Sequence, residues 1–98
     1  MKNNIEIVEP DVLEDVDISE MTDIINEKQI VVFNDDVNSF DHVIDTFCSI
    51  LKHEPNQAHQ CALIIHHNGK CSVKKGNWDM LLPMCEALLE NQITAEIQ

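Results

Sequence analysis

Apolar residues recur at the same helical spacing three times in this chain, and that recurrence limits the folds open to it. Phe40, Val43, Ile44, Phe47, Cys48 and Leu51 form one stripe. Ala58, Cys61, Ala62 and Ile65 form a second, and Trp78, Leu81, Leu82, Cys85, Leu88 and Leu89 a third. Offsets of 0, 3, 4 and 7 put apolar side chains on one face of a helix. Three amphipathic helices need a common surface to cover, and the segments between them supply it. Residues 29–33 (QIVVF) are β-branched and run into the polar cluster 34–39, as a buried strand followed by a loop does. Residues 70–75 read as a short strand, and residues 93–97 (ITAEI) alternate as a last one. The order β-α-α-β-α-β makes an α+β domain with one small sheet and its helices on one face.

Local signals place the helix ends. Asn38 is a candidate N-cap for the first helix, with Asp41 three residues on as in a capping box. Pro55 suits the first position of the second helix, and Gly69 supplies the left-handed residue that closes it. Pro83 falls inside the third helix, where it removes a hydrogen bond, so an irregular first turn is expected there.

The 98 residues suffice for one domain. Eighteen Asp and Glu against six Lys give a net charge of −12, which argues against nucleic-acid and anionic-membrane partners. The longest apolar run, residues 61–65, is too short to cross a membrane. Without an apolar leader near the start, a cytoplasmic protein is expected. The acid is uneven: residues 1–29 carry nine acids and two lysines. Residues 1–28 read as a flexible acidic extension, and residues 29–98 as the folded domain. The four cysteines form no CxxC pair and fall within apolar patterns, so free, packed thiols are expected. The five histidines and four cysteines have no ligand spacing, and two glycines cannot build a phosphate loop. No metal, cofactor or catalytic residue is assigned.

Two features invite a binding role. Asn34-Asp35-Asp36 follows the first strand, where a rigid scaffold presents binding groups, although Asn and Asp are also common turn formers. His66-His67 closes the second helix beside Ala62 and Ile65. A neutral imidazole there can accept a hydrogen bond, or simply interact with the last carbonyls of the helix.

The two features together, VVFNDDVNSFDHVIDTF (31–47) and QCALIIHHNGK (60–70), resemble the Clp protease adaptor family, ClpS type, over about residues 29–97. The style is most similar to members from the Bacteroidetes branch. The resemblance implies a three-stranded antiparallel sheet with three helices and no catalytic activity. It implies a monomeric adaptor that recognises N-degron substrates, proteins beginning with Leu, Phe, Tyr or Trp. It would deliver them to a hexameric Clp-type AAA+ ATPase that feeds the ClpP peptidase, its N-terminal extension engaging the ATPase. By the same resemblance, Asn34, Asp35 or Asp36, and His66 would hold the substrate's α-amino group. Phe33, Asn38, Phe40, Val43, Ala62 and Ile65 would line its hydrophobic pocket. The alternative is a non-catalytic interaction module with the topology of the ribosomal stalk domain, which shares the element order.

Overall fold

A computed structural model describes residues 26–98. The acidic extension inferred for residues 1–28 therefore lies almost wholly outside the described residues. The elements are β1 (Lys28–Phe33), α1 (Phe40–Ile50), α2 (Pro55–Asn68), β2 (Lys70–Gly76), α3 (Trp78–Glu90) and β3 (Ala95–Ile97). This is the order expected from the apolar spacing.

The sheet is antiparallel with strand order β2-β1-β3, so β1 is central and carries most of the burial. Ile30 and Val32 alternate onto one face. They pack with Phe47 of α1, Ala58 and Ile65 of α2, and Leu81 and Leu88 of α3. All three apolar stripes thus meet the same face of β1. A bulge between β1 and β2 leaves Val73 without a partner across the ladder. Both Val73 and Lys74 then face the helices: Val73 is buried, and Lys74 Nζ donates to the Leu51 carbonyl at 3.0 Å.

Three local expectations need correction. Ser39, not Asn38, caps α1: its side chain accepts from the His42 N–H at 3.1 Å. Asn38 is engaged elsewhere, because Asp35 of the same loop and the distant Gln92 carbonyl claim its amide. The third helix has no irregular first turn. Asn77 caps it by accepting from Met80 N–H at 2.8 Å, and the helix runs through Pro83. The carbonyl that Pro83 leaves without a donor belongs to Asp79, four residues earlier. Both residues are exposed, on a side of the helix where solvent can satisfy a freed carbonyl. Finally, β3 begins at Ala95 rather than at residue 93, although the Thr94 carbonyl still accepts from Phe33 N–H at 2.9 Å.

Pro55 starts α2, and Gly69 closes it at φ 92° with its N–H bonded to the Ile65 carbonyl. No helix among the described residues is long and apolar enough to cross a membrane.

Candidate functional site

The loop joining β1 to α1 is fixed from within by one carboxylate. Asp35 Oδ1 accepts from the N–H groups of Val37 (3.0 Å) and Asn38 (3.1 Å), and both Asp35 oxygens accept from Asn38 Nδ2. Its two ends are tied to different parts of the fold. Asn34 N–H donates to the Gly69 carbonyl at 2.8 Å, where α2 ends. Asn38 Nδ2 donates to the Gln92 carbonyl at 2.8 Å, in the turn before β3. His42 Nε2 reaches the neighbouring Asn91 carbonyl at 2.9 Å, which holds the start of α1 against the same turn.

Under this loop lies a cavity of about 320 Å³. Its floor and walls are Val32 and Phe33 of β1, Phe40 and Val43 of α1, Ala62 and Ile65 of α2, and Ile93. Asn34, Asp35, Asp36, Asn38, Ser39 and His66 complete the lining. The ten residues singled out from the sequence are all brought to this one cavity, while Val32, Ser39 and Ile93 were not anticipated. Val32 belongs to the core of the central strand as well as to the cavity. Ile93 follows the turn that Asn38 clamps, and no sequence spacing links those two positions.

The polar groups divide by what already satisfies them. Asp35 and Asn38 supply the hydrogen bonds within the loop, and the side chains of Asn34, Asp36 and His66 take no part in them. Asn34, Asp36 and His66 are exposed at the rim. Phe40 stands between two imidazoles of α2, edge to face with His59 (5.7 Å between centroids) and His66 (6.3 Å). Such pairs hold the ring at the mouth in a defined orientation. No lysine lines the cavity among the described residues, so its charge is that of two aspartates.

Behind the wall, Cys61 of α2 sits beside Cys71 of β2. Burial, and then the neighbouring Cys71, push the Cys61 thiol up to about 11. Burial, and then Glu86 and Glu96, also raise Cys85. Thiols held protonated at neutral pH are poor nucleophiles and poor metal ligands. Among the described residues no group of three or more His, Cys, Asp or Glu could hold a metal ion.

The result is a small α+β domain with a partly apolar cavity, rimmed by acceptors of Asn34, Asp36 and His66 that make no hydrogen bond among the described residues, the build of a binding module. The family model of the ATP-dependent Clp protease adaptor protein ClpS matches residues 26–96, and the chain belongs to that family. Among solved structures, Agrobacterium tumefaciens ClpS2 bound to L-phenylalaninamide is similar in fold. The TM-score is 0.66 at 15% sequence identity, covering 74% of this chain and 98% of that one. No curated relative matches the chain.

Proposed function

We propose that the chain recognises proteins whose first residue is bulky and apolar and delivers them to a Clp-type AAA+ ATPase for proteolysis. The observation that carries this reading is the pairing of an apolar cavity with Asn34, Asp36 and His66 at its rim. An α-ammonium has three N–H donors and seeks carbonyl, carboxylate or neutral imidazole acceptors. The Asn34 side-chain oxygen, the Asp36 carboxylate and a neutral His66 nitrogen supply one acceptor each. The first side chain then enters between Phe40, Val43, Ala62 and Ile65. The Agrobacterium protein is bound to phenylalaninamide. That ligand joins a free α-amine, an amide in place of the first peptide bond, and a benzyl group, which are the three features this rim and cavity would read.

Burying one Leu or Phe side chain contributes about 1.5–3 kcal/mol. Each hydrogen bond to a charged group contributes about 1.5–3 kcal/mol. After the losses of association, the sum reaches roughly a micromolar complex, and neither part reaches it alone. Recognition therefore requires a free amino terminus and a bulky side chain together. Membership of the adaptor family supports the delivery step, in which the acidic residues 1–28 would engage the ATPase.

Fluorescence anisotropy with labelled peptides beginning Leu, Phe, Trp, Ala and acetyl-Leu tests the reading. Binding of the bulky free termini, lost for Ala and acetyl-Leu, is the expected result. If acetyl-Leu binds as well as Leu, the rim does not read an amine and the proposal fails.

A further inference from the structure

Beside the cavity lies a second, more open hollow of about 370 Å³, lined by Asp35, Val37, Leu89, Gln92, Ile93 and Thr94. Asp35 and Ile93 belong to both hollows, so one layer of side chains separates them. The ridge between them is the clamp of Asp35, Asn38 and the Gln92 carbonyl. The hollow is mainly apolar, and its aliphatic side chains lack cover: Val37 is 83% exposed and Leu89 50%.

The site loop itself sets a direction. It starts at Asn34, tied to the end of α2 near His66, and finishes at Asn38, tied to the turn at Gln92. A peptide whose amine is held at Asn34 and His66 can leave along this loop, toward Val37 and Leu89. In an extended chain, side chains one and three share a face about 6.6–6.8 Å apart, and side chain two points the other way. That span crosses a wall one side chain thick. We infer that the hollow over Val37 and Leu89 receives the third side chain of the bound N-terminal peptide and favours an apolar one. The inference rests on the amino-terminal reading of the first cavity and adds a second specificity element to it. Asp35 and Asp36 next to the path disfavour an acidic third residue.

The test uses the full chain and labelled peptides beginning Leu-Ala-Leu, Leu-Ala-Ser, Leu-Leu-Ser and Leu-Ala-Asp, with acetylated Leu-Ala-Ser as control. Leu-Ala-Leu should bind about three- to tenfold more tightly than Leu-Ala-Ser, as expected for an aliphatic group partly buried in an open groove. Leu-Leu-Ser should gain nothing, and Leu-Ala-Asp should bind most weakly of the free amines. Val37→Ser and Leu89→Ser alter exposed positions outside the first cavity. Each should erase the advantage of a third Leu while leaving the affinity for Leu-Ala-Ser unchanged. Equal affinity for Leu-Ala-Leu and Leu-Ala-Ser, both above the acetylated control, overturns this inference and leaves the first cavity's role intact. A gain that follows position two, or one that survives both substitutions, also overturns it. If Leu-Ala-Ser binds no better than its acetylated form, the amino-terminal reading fails and the third-residue site falls with it.

Discussion

Asp35 and Asp36 are adjacent and chemically identical, yet the fold gives them different work. Both Asp35 oxygens are occupied by N–H groups of its own loop, whereas Asp36 is exposed at the rim. Asp36→Ala should therefore weaken binding of a Leu-initial peptide about 10- to 100-fold, the value of one charged hydrogen bond, with an unchanged melting temperature. Asp35→Ala should lower stability by about 1–3 kcal/mol and weaken binding together with it, because the loop loses its centre. Equal loss of stability in the two variants would show that the duties are not divided in this way. The sequence places this tripeptide at a strand end and leaves open which carboxylate is free of the loop's own hydrogen bonds. That choice depends on where Asn38 points, and its partner, the Gln92 carbonyl, is 54 residues away. His53 was equally illegible. It is buried, with Nε2 donating to the Val73 carbonyl at 2.7 Å, while Nδ1 has no partner among the described residues. No periodicity marks such a residue.

Cys61 gives a prediction that depends on pH. The folded state favours its protonated form, with a thiol near 11 against an ordinary 9.0. The native state therefore binds more protons than the unfolded chain between those values, and stability falls as pH rises through that window. Below it the contribution is fully present. In thermal melts from about pH 8 to about pH 11, Cys61→Ala should show a smaller loss of melting temperature than the parent chain. A parallel decline in both would place the alkaline sensitivity elsewhere.

The elements were more legible than the contacts between them. The helix stripes, Pro55 and Gly69 are local signals, and each appears where its chemistry put it. The departures arise where tertiary structure competes with local preference. Asn38 leaves the cap position to Ser39, β3 starts late, and α3 runs through Pro83 on an exposed side of the helix. Gly69 joins an element signal to the site, since its φ of 92° ends α2 and its carbonyl holds Asn34. A Cβ there would meet nothing within 4 Å, so the cost of Gly69→Ala comes from the backbone alone. It should destabilise the chain by about 1–2 kcal/mol in urea unfolding. It should also loosen the Asn34 end of the loop, which peptide affinity would report. Asn at the same position tolerates the left-handed region better and should recover part of both effects. A Gly69→Ala chain of parental stability would show that the turn relaxes out of this conformation without consequence for the fold.

At the scale of the whole molecule, charge is sorted. Eight of the eighteen acids and one of the six lysines lie in residues 1–25. Within the domain, Lys70, Lys74 and Lys75 lie on β2, an edge strand, whereas Asp35 and Asp36 stand at the cavity. Lysines on an edge strand discourage pairing with another sheet. Under the proposed function, the acids at the cavity would draw a cationic terminus toward it, and the net charge of −12 would extend that attraction beyond contact distance. Long-range attraction and contact chemistry respond differently to salt. Screening over a Debye length acts on the approach, while groups already in contact are screened far less. Raising salt from about 0.05 M to about 0.5 M should therefore slow association of a free-amine peptide severalfold and leave dissociation within about twofold. Deleting residues 1–25 removes much of the net charge and none of the described residues that line the cavity, so it should reduce the salt dependence of association with little effect on dissociation. Stopped-flow anisotropy on both chains separates the two rates. A salt effect on dissociation in the full chain, abolished by the deletion, would show that the acidic segment touches the bound peptide, and the cavity could then no longer be treated as a self-contained site.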